Sequence, residues 1–372
     1  MDKTNNYYPE LDSLRFLAFL LVLIHHSIFS ESIPFWERLH NYGWMGVDLF
    51  LCLSAYLFAK LLFIEYEKKG SVNVRYFYLR RILRVWPLYF FYLGIALAYS
   101  IYIKGWRTDI LIRSLGMFTF TDNLFTMAYG YNGIENGIIG VPHLWTISYE
   151  EQFYLIIPWV LQILYRLKKT DIMRILGIAM LFGMFIRALF IYYKVEHPAI
   201  WVFPFTHYES ILGGIIMGLG LFDRYLNKIP SWVSFITGLT ALWLVTYLPN
   251  IDVTQWKIML TYPLIGIGVS LILFAALRGN LGPVSSLLRN MGFRYLGKIS
   301  YGLYVYQGLG IYISSKIISA FVSSDRGIIY PALLITSSLI ITIVIASISY
   351  QFLEKTFLRI KDRFTLINSR PI

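Results

Sequence analysis

The sequence is poor in charge. Only 15% of its 372 residues are Asp, Glu, Lys or Arg, against about 25% in a soluble globular chain. That shortage excludes a water-soluble fold and points to an integral membrane protein. Cysteine is nearly absent: Cys52 stands alone in an apolar run, so the chain has no internal disulfide and no companion thiol for a structural zinc site. The spacings that hold a catalytic metal are missing as well. His25 and His26 are adjacent and point apart on a helix, and no H-x-x-x-H or H-E-x-x-H occurs. There is no Gly-rich phosphate loop, no G-x-S-x-G elbow, no internal repeat and no low-complexity segment. Acidic residues are outnumbered 21 to 33, giving a net charge of +12. In a soluble protein this would suggest nucleic acid. Here the basic residues alternate with apolar stretches and build no basic face, so no nucleic-acid partner is expected.

What remains is apolar. The chain is 57% hydrophobic and 18% aromatic, with a mean hydropathy of +0.59. A span of a bilayer core of about 30 Å takes about 20 apolar residues. Ten such stretches lie near 12–30, 44–63, 83–103, 143–165, 172–193, 207–224, 232–249, 257–277, 297–320 and 329–353. Lysine and arginine gather in alternate connections, between spans two and three, four and five, after six, after eight and after ten. The other connections are poorer in cations and carry acids such as Glu31, Glu135 and Asp325. By the positive-inside rule both termini are cytoplasmic. The expectation is an all-α bundle of about ten transmembrane helices forming a single domain over 1–372. A long external loop runs over 104–142, with Gly, Asn and Tyr near 129–140, and reads equally as a binding lid or a passive cap. A short cytoplasmic tail occupies 355–372. The first span carries Arg15 and two histidines without a basic leader or a clear cleavage site, so it reads as a span and not as a cleaved signal.

Ionisable residues inside spans are costly and usually mark function. The first span carries Arg15 and His26, eleven residues apart. On a helix they share a face to within about 20° and are separated by roughly 16 Å along the axis. His25 points away from that face. Asp48, near the outer end of the second span, lies at a depth similar to His26 and is a candidate to orient its imidazole. A buried Asp satisfied by backbone is the plainer alternative. Arg80, Arg81 and Arg84 open the third span. Arginine's planar fork suits phosphate, although a topology anchor explains the same cluster. With Arg15 added, they form a basic mouth for a phosphorylated cytosolic ligand. The fourth span carries His143, Glu150, Glu151 and Tyr154. The two acids project about 100° apart, and the spacing favours Glu151 as the one facing His143 and Tyr154. An ion pair with Arg187 is the structural alternative. Ser300 and Tyr301 open the ninth span.

Six stretches in order give a resemblance. They are Tyr8-Pro9-Glu10-Leu11-Asp12-Ser13-Leu14-Arg15 followed after ten residues by His26; Gly46-Val47-Asp48-Leu49-Phe50 with Leu53-Ser54; Tyr76 to Pro87, with its R-x-x-R; His143-Leu144-Trp145-Thr146-Ile147-Ser148-Tyr149-Glu150-Glu151-Gln152-Phe153-Tyr154; Leu296 to Tyr304; and Ser349 to Lys355. Together they resemble the membrane acyltransferase-3 family, whose members O-acylate bacterial surface glycans, and the likeness covers nearly the whole chain. Two positions depart from the family pattern: Gln307 stands where many relatives have histidine, and Ala55 where glycine is common. Some relatives carry a further extracytoplasmic domain. The short tail after Glu354 predicts none here, and on that expectation the resemblance leaves transfer to the membrane domain or to a separate protein.

The resemblance implies a multi-pass protein of the bacterial inner membrane that moves an acyl group, acetyl before others, from acyl-CoA to a hydroxyl of a polysaccharide or lipid-linked sugar. No metal is implied. His26 would be the general base or an acyl relay, oriented by Glu151 and Asp48. Arg15, Arg80, Arg81 and Arg84 would hold the coenzyme A phosphates. His143, Glu150, Tyr154, Ser300 and Tyr301 would meet the substrate. Membrane lipids surround the protein, and either a homodimer or a partner protein is compatible with this scheme. The rival class is a transporter or flippase of a lipid-linked glycan, its buried charges forming a relay. It would move substrate without acyl-CoA, and the sequence lacks the matched broken helices of such carriers.

Overall fold

A computed structural model describes residues 7–27, 34–134, 137–322 and 328–365, and all regular structure among them is helical. The helices are α1 (Pro9–His26), α2 (Pro34–Tyr42), α3 (Met45–Lys69), α4 (Val74–Lys104), α5 (Thr108–Phe118), α6 (Asp122–Ile134), α7 (Trp145–Leu164), α8 (Lys169–Tyr192) and α9 (Ala199–Val202). There follow α10 (Glu209–Gly218), α11 (Asp223–Leu226), α12 (Ser231–Val245), α13 (Ile258–Arg278), α14 (Pro283–Leu288), α15 (Met291–Lys298), α16 (Ser300–Phe321), α17 (Ile329–Ser349) and α18 (Lys355–Asp362). A π turn at Tyr350–Glu354 joins the last two. Residues 28–30 of the first expected span, Glu31, Glu135, Asp325 and the end of the tail beyond residue 365 lie outside the described residues.

Each of the ten expected spans contains a helix: α1, α3, α4, α7, α8, α10, α12, α13, α16 and α17. Five are long and apolar enough to cross a membrane, namely α3, α4, α8, α13, and α17 with its continuation to Asp362. The others fall short for visible reasons. α1 carries Glu10, Asp12 and Arg15, and α7 carries Glu150 and Glu151. α10 has only 10 residues, about 15 Å of rise, half of a bilayer core. It is wedged between α3 and α13 by small residues. A Cβ on Gly214 would lie 2.3 Å from the Cys52 carbonyl oxygen, and one on Gly213 would lie 2.0 Å from Ser270 Oγ. Gly214 and Gly218 form the small-xxx-small pattern that brings membrane helices into backbone contact.

Local signals set the boundaries. Pro9 opens α1, with Glu10 and Asp12 in its first turn, where acids suit the helix dipole. Asn73 caps α4, its side chain accepting from the Tyr76 N–H at 3.0 Å. Gly70 ends α3 with a left-handed φ of +71°.

The connection 104–142 is not an extended loop. α5 runs back along α4. The Tyr89 hydroxyl donates to the Met117 carbonyl at 3.0 Å, and Phe120 packs against Trp86 and Tyr89 with ring centres 5.6 and 5.0 Å away. Trp86 is eighteen residues from the Lys104 end of α4, about 27 Å. The α5–α6 hairpin therefore re-enters beside α4 and is not a cap on its end. Its tip is held from α7: Gln152 donates to the Phe120 carbonyl at 2.9 Å and to Asn123 Oδ1 at 2.8 Å. Backbone at that depth needs such partners where water is scarce. Leu111, Leu115 and Phe118 face outward, more than half exposed.

Candidate active site

One face of α1 borders two spaces. The larger is a cavity of about 210 Å³ at the Arg15 end, framed by α1, α3 from Val47 to Glu65, the start of α4, α7, α16 and α18. The smaller, about 10 Å³, is a chamber at the other end of α1, containing His26 and His143. Val47, Thr146 and Tyr304 line both. They form the partition between the two spaces.

The cavity is basic at its mouth. Arg15, Arg80, Arg81 and Arg84 all line it, joined by Lys298 and Lys361. Their partners differ. Arg15 pairs with Asp12 at 2.9 Å. Arg80 donates to the Phe364 carbonyl at 2.9 Å and lies 3.6 Å from Glu65. Arg81 and Arg84 have no carboxylate within ion-pair distance among the described residues. The Arg81 guanidinium instead lies over the Phe58 ring at 4.8 Å, where the π face supports a cation without neutralising it. Two guanidinium groups thus keep their charge available to an anion entering the cavity. Ser300, Tyr301, Glu150 and Tyr154 line the same space. Tyr301 donates to the Val85 carbonyl at 2.8 Å, and Tyr154 to Glu150 Oε2 at 2.5 Å.

In the chamber, hydrogen bonding sets the histidine tautomers. His26 Nδ1 lies 2.8 Å from the Val22 carbonyl oxygen. A carbonyl only accepts, so Nδ1 carries the proton and Nε2 of the neutral ring carries the lone pair. His143 is the reverse case: its Nε2 faces the Val305 carbonyl at 3.3 Å. The two rings sit 5.9 Å apart, edge to face. His25 also lines the chamber, with its Nδ1 committed to the His40 carbonyl at 2.7 Å. His26 therefore offers a basic nitrogen in the space next to the arginine-lined cavity.

Two expectations are corrected. Asp48 does not orient His26. Its Oδ1 accepts from His207 Nε2 at 2.9 Å and from Ser210 Oγ at 2.6 Å. The reason is packing: the glycines of α10 bring that helix and the residues before it against α3, so Asp48 Oδ1 finds its partners on that side. Glu151, favoured by spacing as the carboxylate facing His143 and Tyr154, turns elsewhere and accepts from Trp86 Nε1 at 3.2 Å. Glu150 faces the cavity and holds Tyr154, because positions 146, 150 and 154 share a helix face. Neither acid pairs with Arg187, which is bonded to Glu209.

Sequence reasoning gives no site role to several neighbours. His207, the partner of Asp48, opens the sixth expected span beside Thr206, Tyr208, Glu209 and Ser210 as one of its weaker polar insertions, with no motif around it. Lys361 lines the cavity from α18, which follows the π turn at Tyr350–Glu354. Glu354, also lining the cavity, is 8% exposed. Trp201 lines the chamber from a four-residue helix that no periodicity reveals. Among the described residues no group of three His, Cys, Asp or Glu side chains is arranged to hold a metal ion.

An apolar helical bundle enclosing a basic cavity that abuts a histidine chamber fits a multi-pass membrane protein. The family model of the acyltransferase domain, acyltransferase-3, matches residues 8–351, and the chain belongs to that family. A protein of Staphylococcus aureus (strain COL), provisionally named an O-acetyltransferase, is 26% identical over 99% of this chain and 60% of its own length. The O-acetyltransferase OatA of S. aureus (strain NCTC 8325 / PS 47) is 23% identical over 94% of this chain and 57% of its own. The peptidoglycan O-acetyltransferase OatA of Listeria monocytogenes is 22% identical, over 94% and 56%. The chain thus spans about three fifths of the length of the curated relatives it matches. No solved structure matches it.

Proposed function

We propose that the protein is a membrane O-acyltransferase of the bacterial cytoplasmic membrane. It carries an acetyl group from acetyl-CoA in the cytoplasm to a hydroxyl of a cell-envelope glycan or lipid-linked sugar. Ten spans and cytoplasmic termini belong to this reading, because they turn the arginine-lined end of the bundle toward the cytoplasm. The observation that carries it is that Arg81 and Arg84, in a cavity abutting the His26 chamber, form no ion pair among the described residues. Names of relatives such as OatA support acetyl as the group moved.

In this mechanism Arg81 and Arg84 bind the coenzyme A phosphates, with Arg15 and Arg80 at the rim. The thioester end reaches past Val47, Thr146 and Tyr304 into the chamber. His26 Nε2 removes the proton of the acceptor hydroxyl as its oxygen attacks the thioester carbonyl. The C–O bond forms, the C–S bond breaks, and the imidazolium proton passes to the coenzyme A thiolate. A positioned base of this kind contributes about 10²–10⁴ in rate. An alternative route has His26 carry the acyl group between donor and acceptor. Glu150 and Tyr154, with Ser300 and Tyr301, line the donor's path, and Glu151 and Asp48 support the walls.

The test is acyl transfer to envelope glycan in membranes carrying equal amounts of wild-type, His26→Ala or His25→Ala protein. Loss of transfer in His26→Ala, with acetyl-CoA affinity within about twofold of wild type and His25→Ala active, is the expected result. The reverse pattern overturns the assignment. Mass spectrometry of the glycans with and without the gene identifies the acceptor.

A further inference from the structure

The chamber beside His26 is walled by three indoles from three separate elements. Trp44 directly precedes α3, Trp145 opens α7, and Trp201 lies in α9. Trp201 is 4.7 Å from Trp145 and 6.0 Å from Trp44, ring centre to ring centre, steeply tilted to both. All three are at most 6% exposed, and all three line the space that contains His26 and His143. Interlocked rings leave no slack, since a buried aromatic cannot move aside without displacing its neighbours. The free space of about 10 Å³ is that of one water-sized group. Trp201 also has an unmet need: its Nε1–H has no hydrogen-bond partner among the described residues. A buried donor left this way is destabilising, and the carbonyl oxygen of an entering acyl group is an acceptor of the kind it lacks.

Resting on the reading of the protein as an acyl-CoA-dependent transferase, we propose that Trp145 and Trp201, backed by Trp44, set the length of the acyl group transferred. The chamber takes only the methyl end of an acetyl group beside His26 and rejects longer chains. The large cavity cannot make that selection, because its volume of about 210 Å³ accommodates several methylene groups. A tight apolar site discriminates one methylene by about 10- to 200-fold.

The experiment uses membrane vesicles carrying the full chain, with their endogenous envelope glycan as acceptor, supplied with acetyl-CoA, propionyl-CoA or butyryl-CoA. Base-labile acyl esters on the glycan are quantified by mass spectrometry. Wild type is expected to favour acetyl over propionyl by at least about tenfold. Trp145→Ala and Trp201→Ala are expected to raise the propionyl-to-acetyl and butyryl-to-acetyl ratios by a similar factor. The ratio does not depend on how much protein folds, and Trp145→Leu and Trp201→Leu replace the alanine variants if those are not produced. Wild-type protein that uses butyryl-CoA as readily as acetyl-CoA, or variants with unchanged ratios, overturn the proposal while leaving the transferase intact. Absence of transfer from every acyl-CoA by wild type overturns the transferase reading itself, and the length selection with it.

Discussion

The hydroxyls of Thr146 and Tyr304 meet at 2.6 Å, and both side chains line the arginine cavity on one side and the His26 chamber on the other. Both hydroxyl oxygens also lie 3.1 Å from the His143 carbonyl oxygen, so one hydroxyl donates to that carbonyl and the other to its partner hydroxyl. This small network joins α7 to α16 at the partition between the two spaces. It also fixes the backbone of His143, whose ring faces His26.

Tyr304→Phe keeps the ring and removes the bonds of its own hydroxyl, leaving Thr146 on the His143 carbonyl. A neutral hydrogen bond contributes about 1 kcal/mol net, so the fold is expected to survive. Transfer is expected to fall about tenfold in kcat, with the KM for acetyl-CoA within about twofold. Steady-state kinetics in vesicles decide it. An unchanged kcat means that the partition is inert.

Arg81→Gln and Arg84→Gln should each weaken acetyl-CoA binding by about tenfold or more, since hydrogen bonds to charged groups contribute about 1.5–3 kcal/mol. The salt dependence of binding should flatten in parallel. Arg80→Gln should cost less affinity, because Arg80 is already engaged by the Phe364 carbonyl and Glu65. Equal losses at all three positions would contradict this ranking.

The two adjacent acids of α7 are expected to separate on substitution. Glu150→Gln changes a side chain that lines the cavity and anchors Tyr154, so transfer should drop at least about tenfold. Glu151→Gln changes one bonded to Trp86 and should lower transfer only a few-fold. The comparison is made at matched protein abundance.

Arg187→Met should be strongly destabilising. It leaves Glu209 buried opposite an apolar side chain, and breaking such a pair costs about 3–5 kcal/mol. Arg187→Met with Glu209→Leu should recover much of the loss, because no charge is then stranded. Thermal unfolding of the four proteins in detergent forms the double-mutant cycle, and a strictly additive result would mean that the pair is not coupled.

Much of this protein is readable along the chain because membrane solvation acts on local composition. Apolar length marks the helices, and helical geometry alone puts Arg15 and His26 on one face. What misleads is anything that depends on a neighbour from elsewhere. Asp48 and His26 share a depth, yet depth does not say which helix lies between them. The glycines of α10 bring His207 and Ser210 to Asp48 first. Spacing on α7 limits which acid shares a face with Tyr154, but the choice between Glu150 and Glu151 falls to where Trp86 stands. The connection 104–142 reads as a loop because its helices are shorter than a span, and only packing against Trp86, Tyr89 and Gln152 turns it into a re-entrant hairpin.

The sequence by itself determined a basic, cysteine-poor membrane bundle and the identity of its cations, histidines and acids, because hydropathy and charge are properties of single residues. Only the tertiary structure decided which of them share a space. It joined α1, α4, α7 and α16 into a cavity and a chamber, left Arg81 and Arg84 without an ion-paired carboxylate among the described residues, and walled His26 with Trp44, Trp145 and Trp201. Those relationships are distances between residues remote in the chain, set by close packing, and no local pattern encodes them.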